Sequence, residues 1–210
     1  MRVSKRRGLL IVISGPSGSG KGTICDELLN KRKDLCISTS ATTRSPRTND
    51  IDGITYFFKT EQEFKDMIEK DELLEWVKYC DNYYGTPKKN LESKLDEGKD
   101  VILEIDVVGG LKVKSKYPES ILVFILPPSF KDLLLRLKCR GTEDEELMNK
   151  RIKKAVDEIE YGKKYDYFVR NDTIENAVMK IDKIIDSEKC SLSRNLDKFS
   201  EFIVTIKEVF

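Results

Sequence analysis

The chain has 210 residues, 39% of them hydrophobic, which is enough for one well-filled core. Its 38 Lys and Arg against 37 Asp and Glu leave a net charge of +1, so no bulk field draws it to nucleic acid or to an anionic membrane, and any anion binding must be local. It contains no histidine, which excludes Ser-His-Asp and Cys-His catalysis and histidine metal sites.

Arg2, Lys5, Arg6 and Arg7 ahead of an apolar run have the outline of a secretory signal. That run is too short, and it leads into a glycine-rich loop rather than a small-residue cleavage site. No other stretch approaches membrane-spanning length. Cys25, Cys36, Cys80, Cys139 and Cys190 are odd in number and never form a C-x-x-C pair, so free thiols and a cytoplasmic setting are expected.

Residues 9–13, Leu-Leu-Ile-Val-Ile, read as a buried strand. It breaks into Gly15, Pro16, Ser17, Gly18, Ser19, Gly20, Lys21, Gly22 and Thr23, and then into a helix-compatible segment. The glycines let main-chain N–H groups point inward, the helix start adds its positive end, and Lys21 supplies a mobile cation. This is a cradle for a nucleoside triphosphate. A hydroxyl residue usually follows the lysine. Here Gly22 stands in that place and the hydroxyl arrives at Thr23, so a divalent metal is expected to be held partly through water.

A polar loop over 38–47 follows, in which Ser45-Pro46 favours an extended backbone between Arg44 and Arg47, so that two guanidinium forks can converge on one phosphate dianion. Residues 54–58 continue it, and Thr60-Glu-Gln-Glu63 is a capping box ahead of a short helix. A strand over 73–79, a turn at Asp81-Asn82 and the run Tyr83-Tyr-Gly-Thr86 complete a small, mostly β subdomain over 38–87. Glu75 lies in an otherwise apolar strand, where a buried carboxylate needs donors.

Residues 101–105 form a second buried strand that ends at Asp106, on the side of an open α/β sheet where ligands collect. A third strand spans 121–126. After Pro127-Pro128, Phe130, Leu133, Leu134 and Leu137 space an amphipathic helix over 130–140 that Gly141 stops. Residues 142–161 open acidic and turn basic at Lys150, Arg151, Lys153 and Lys154, with little apolar stripe, as expected of a mobile arm. A strand over 167–169 and a helix over 173–185 complete an α/β fold with parallel strands. In the tail, Leu192, Leu196, Phe199, Ile203, Ile206 and Phe210 recur four and three residues apart. They would align on one helical face, packed on the core or against a second copy in a homodimer; a frayed end or a strand over 202–206 is the alternative.

The phosphate loop, Thr42-Thr-Arg-Ser-Pro-Arg47, Glu75-Trp76, Tyr83-Tyr-Gly-Thr86, Ile105-Asp106 and Arg140-Gly-Thr142, in this order, resemble the motifs of guanylate kinases over about residues 8–187. The resemblance implies a P-loop NTPase-type parallel sheet flanked by helices. The core is then at 8–37, 88–128 and 165–187, a GMP-binding subdomain at 38–87, a helical lid at 129–164 and an extension at 188–210. It implies transfer of the ATP γ-phosphoryl to GMP, and to dGMP, with Mg²⁺, and small nucleotides as the partners. By the same resemblance Lys21, Arg44, Arg136, Arg140 and Arg151 act on the transferring phosphoryl. The loop from Gly15 to Thr23 and Asn171 bind ATP. Ser40, Arg44, Arg47, Tyr56, Glu75, Tyr84, Thr86 and Glu104 bind GMP, and Thr23 and Asp106 reach the metal, through water. Glu104 stands where Asp is common, and Val107-Val-Gly-Gly110 departs from the usual Val-Gln-Gly, Gly109 standing for a side-chain amide.

Two other classes meet counter-evidence in the same residues. A binding module that grips a phosphorylated peptide would be expected to lack Lys21 and the lid arginines. A kinase for another acceptor fits Glu75, Ser40 and Thr86 less well: guanine presents donors at N1 and N2, while adenine would leave the carboxylates unpaired at about 1–3 kcal/mol each.

Overall fold

The structure, a computed structural model, describes residues 6–79, 81–138 and 145–209. In chain order these form β1 (Leu10–Ser14), α1 (Lys21–Lys31), β2 (Leu35–Ile37), β3 (Ala41–Thr42), β4 (Phe57–Phe58), α2 (Glu61–Glu69), β5 (Leu73–Tyr79), β6 (Asn82–Pro87), α3 (Lys88–Asp96) and β7 (Asp100–Glu104). They continue with α4 (Val107–Lys116), β8 (Ile121–Leu126), α5 (Phe130–Lys138), α6 (Glu145–Gly162), β9 (Tyr167–Arg170), α7 (Ile174–Cys190) and, after a 3₁₀ turn at Leu192–Arg194, α8 (Leu196–Val209).

All five residues of β1 are buried because the strand sits at the centre of a parallel sheet ordered β2-β7-β1-β8-β9 and is covered on both faces. Successive side chains alternate between those faces. Leu9, Ile11 and Ile13 pack on one side with Ile24 and Leu28 of α1 and Ile181 and Ile185 of α7. Leu10 and Val12 pack on the other with Leu91 and Leu95 of α3, Val113 of α4 and Leu74 of β5. The carboxyl ends of β1 and β7 therefore open side by side, one into the phosphate loop and the other into Glu104, Ile105 and Asp106.

The smaller sheet runs β4-β3-β6-β5 around Ala41, Phe64 and Leu73. The capping box forms as expected: the Thr60 hydroxyl accepts from the Glu63 N–H, and the Glu63 carboxylate accepts from the Thr60 N–H. Asp81 turns the β5–β6 hairpin with a φ of 61°. Strands β2 and β3 and helices α3 and α4 carry too few periodic apolar positions to stand out in the sequence. Helix α6 corrects the expectation of a stripe-less arm: Met148, Ile152, Ala155 and Ile159, four and three residues apart, close on Leu133 and Leu137 of α5. Its many charges hide that stripe.

The tail is helical rather than extended. Arg194 pins its start, donating to the Glu119 carbonyl at 2.6 Å and to Glu188 at 2.9 Å. Asn195 donates to the Lys189 carbonyl in the last turn of α7 and to that of Ser191 just beyond it. Beyond that turn Leu196, Phe199, Phe202, Ile203 and Val204 remain exposed; Phe210 and the Ile206 side chain lie outside the described residues. Ile181→Ala should cost about 2–5 kcal/mol of stability in urea denaturation, since the site is closed on all sides and α7 cannot collapse onto the sheet to fill the hole.

Candidate active site

Helix α1 begins without a side-chain cap, so its first N–H groups stay available to an anion. Gly20 precedes it at φ 92°, and a Cβ there would lie 2.4 Å from the Asn171 Nδ2. Only glycine fits, for both reasons. Asn171, buried at the end of β9, donates from that amide to the Ser19 carbonyl at 2.9 Å. The resemblance put Asn171 on ATP; here its side chain braces the loop from beneath. The Lys21 ammonium folds over the loop and donates to the Gly15 carbonyl at 2.7 Å and to that of Pro16 at 3.3 Å. Arg136 crosses from α5, its Nη1 3.5 Å from the Gly18 carbonyl oxygen.

The loop forms one wall of a cavity of about 430 Å³, lined also by Ser40, Tyr56, Glu75, Val77, Tyr79, Tyr84, Glu104, Asp106, Lys154 and Glu158. Glu75 is 5% exposed and accepts from the Thr86 hydroxyl at 2.7 Å. Burial pushes its carboxyl above the usual range, against the Thr86 hydrogen bond and with help from the nearby Asp106 charge. Thr86 itself is fully buried behind Glu75 and is not part of the wall. Its hydroxyl orients the carboxylate rather than facing the cavity.

Asp106 caps α4, its Oδ1 accepting from the Gly109 N–H at 2.6 Å. A Cβ on Gly109 would lie 3.2 Å from that oxygen and 3.2 Å from Glu75 Oε2. A side chain at 109 would press on both carboxylates, and in Val107-Val-Gly-Gly110 it is Val108, 47% exposed, that stands where Val-Gln-Gly carries its amide, with Gly109 as the motif's own glycine. Glu104 faces the start of α1, both carboxylate oxygens 3.8 Å from where a Gly22 Cβ would be. Thr23 is exposed on α1 and does not line the cavity. Glu104 and Asp106 are hard oxygen donors beside Lys21, and among the described residues no three acidic or thiol side chains form a closed cage. That donor set suits a cation held mainly by phosphate and water, as Mg²⁺ is.

Arg44 and Arg47 are joined by a residue the sequence reading passed over. The Arg44 Nη2 donates to Asp50 Oδ2 at 2.9 Å, and the Arg47 main-chain N–H donates to the same oxygen at 2.7 Å. The Arg44 guanidinium also lies 5.4 Å from the Tyr56 ring centroid. Tyr56 meets Tyr84 edge to face, and burial raises its phenol pKa. Arg47 is exposed, and neither arginine lines the cavity.

Lys154 of α6 was read only as part of a basic run and Glu158 not at all, although their i, i+4 spacing on a charged helix was visible. Glu158 is half-buried in the wall and its carboxyl is pushed up by burial. Arg151 sits on α6, half-buried and outside the wall, while Arg140 lies outside the described residues.

A family model described as guanylate kinase matches residues 7–188. The chain is 57% identical over 195 residues to the guanylate kinase of Caldanaerobacter subterraneus subsp. tengcongensis, covering 93% of this chain and 95% of that one. It is 49% identical over 201 residues to that of Halalkalibacterium halodurans, covering 96% and 98%. The crystal structure of guanylate kinase from Anaplasma phagocytophilum superposes with a TM-score of 0.73 at 30% identity, over 90% of each chain. Asn171→Ala should lower stability by about 1–3 kcal/mol in urea denaturation, because it strips the buried Ser19 carbonyl of its donor.

Proposed function

The chain belongs to the guanylate kinase family and transfers the γ-phosphoryl group of ATP to GMP; we propose the following division of that work among its residues. The observation that carries it is the single cavity with the phosphate loop on one wall and Glu75, Ser40, Tyr56 and Tyr84 on another. Main-chain N–H groups from Gly15 to Gly22 hold the ATP phosphates at the start of α1. Lys21 swings from the loop carbonyls to the outer phosphates, and Asn171 acts through the loop it braces.

Glu75, held by Thr86, accepts from the guanine N1 and N2 donors, with Ser40 beside it. Tyr56, Tyr84, Arg44 and Arg47 take the GMP phosphate, Asp50 delivering Arg44. An oxygen of that phosphate forms the new bond to the γ-phosphorus as the bond to the β,γ-bridging oxygen breaks, and the electron pair leaves on ADP. The attacking oxygen is already anionic, so no proton acceptor is needed. Arg136, Arg151 and, from the family motif, Arg140 neutralise charge on the transferring group. Asp106 would hold Mg²⁺ through water, and so would Glu104, which the resemblance put on GMP but which faces the start of α1; when bound, the ion neutralises charge on the β- and γ-phosphates.

Around this site the chain divides into a core (8–37, 88–128, 165–187), a GMP-binding part (38–87), a lid (129–164) and an extension (188–210). The protein works in the reducing cytoplasm, which suits the free thiols of Cys25, Cys36 and Cys190. Two copies pair through the exposed apolar face of α8. Light scattering should give a dimer for the whole chain and a monomer after deletion of 192–210; a monomer in both cases removes the pairing.

The function is tested by a coupled assay of ADP release with ATP and Mg²⁺ against GMP, dGMP, AMP, CMP and UMP. GMP should turn over best, with dGMP next; a preference for AMP would displace Glu75 from the base pocket. In Glu75→Gln the amide oxygen takes the Thr86 hydroxyl and the NH₂ meets the guanine donors. KM for GMP should then rise about 10- to 100-fold with little change for ATP. Because the guanine edge needs the carboxylate form, the wild-type KM for GMP should climb about tenfold per pH unit once pH falls below the raised Glu75 pKa. That rise should begin above the usual carboxylate range and flatten in Glu75→Gln.

A further inference from the structure

Strand β5 is held at one end and meets the lid at the other. Near its start, Lys116 and Lys112 of α4 donate to the main-chain carbonyls of Leu74 at 2.7 Å and Trp76 at 3.2 Å, on either side of Glu75. These two contacts fix the strand to the core. Side-chain alternation then turns Glu75, Val77 and Tyr79 toward the cavity, and all three line it. Tyr79 is the last residue of the strand and is 52% exposed, so its ring is not part of a packed core. The Lys154 ammonium, from α6 across the cavity, lies 4.7 Å from the centroid of that ring. Lys154 lines the same cavity and is 3.8 Å from Glu158, one helical turn on.

We infer that Lys154 and Tyr79 form a clasp between the lid and the GMP-binding part, and that it links occupation of the guanine pocket to lid closure over ATP. The inference rests on the assignment of Glu75 to guanine. Glu75 and Tyr79 share one face of one short strand, so a base held at Glu75 steadies the surface that presents the Tyr79 ring. Closure of α6 brings the ammonium onto that ring. A cation over an aromatic face is a contact made only when the arms meet, so it favours the closed form and leaves the separate arms unchanged. Lys154 and Tyr79 are thus positioning residues: they strengthen the binding of each nucleotide in the presence of the other, and by linkage the effect is reciprocal.

The test is the factor by which a Mg²⁺-bound ATP analogue with a non-transferable γ-phosphate tightens GMP binding, measured by calorimetry on the full chain. Lys154→Met and Tyr79→Leu should each reduce that factor about 2- to 5-fold, the range of an exposed cation–ring contact, and the double variant should reduce it no further. Lys154→Arg and Tyr79→Phe should restore it, since each keeps the cation or the ring. Additive losses in the double variant would overturn the clasp, as would a loss in Tyr79→Phe equal to that in Tyr79→Leu. So would weaker analogue binding by Lys154→Met in the absence of GMP, which would put the lysine on the phosphates instead. A wild-type chain that turns over GMP while both variants keep the full factor refutes the clasp alone. Glu75→Gln with unaltered GMP affinity refutes the pocket assignment on which it stands.

Discussion

Glu75 and Asp106 approach each other across the space that Gly109 leaves empty, and the rest of the site is arranged about that approach. A Cβ at 109 would stand 3.2 Å from an oxygen of each. Burial disfavours the charged form of Glu75, and the Asp106 charge adds to that cost. The fold meets that cost with directed donors: the Gly109 N–H and the Thr86 hydroxyl each satisfy one oxygen, and two α4 lysines bind the β5 backbone on either side. On the proposed assignment, what results is a set spacing between the carboxylate meant for the base and the one meant for the phosphates and their metal. Phosphoryl transfer needs such a fixed distance, since its rate depends on alignment rather than on a proton shuttle.

Electrostatics follows the same logic at larger scale. A chain with a net charge of +1 and no histidine has no global field to gather two polyanions. On the proposed assignment it relies instead on main-chain N–H groups at the start of α1, on Lys21, and on arginines carried by separate elements. The cavity wall itself holds Glu75, Glu104, Asp106 and Glu158 against Lys21 and Lys154. Four carboxylates against two ammonium groups make a poor anion site in isolation. They make a suitable one for nucleotides that arrive with a divalent cation and a purine edge rich in donors.

Sequence legibility divides along contact range. The phosphate loop was readable because all its parts lie within nine residues, and the capping box at Thr60 and the strand at 73–79 were readable for the same reason. Glu75 was also legible, since one carboxylate in an apolar strand has few explanations. Asp50, Lys154 and Glu158 were not, because each acquires meaning from a partner on another element. The resemblance put Thr86 on the base; in the structure it is buried behind Glu75 and donates to it, a partnership between two strands that no local pattern shows. Gly109 was read as a missing amide, although the motif puts Val108 in that place; the closeness of a Cβ at 109 to two carboxylates shows what the glycine spares them.

Helix α6 shows how a local pattern can be read correctly and still mislead. Its dense charge suggested a solvated arm, and most of those charges are indeed exposed. Yet Met148, Ile152, Ala155 and Ile159 pin one face to α5, which leaves the remaining turns free to present Lys154 and Glu158 to the cavity. The apolar stripe fixes the rotation of the helix about its axis, and that rotation decides which charges face solvent and which face ligand. A helix with the same charges and no stripe could swing over the phosphates, but it could not deliver the same two side chains each time it closed.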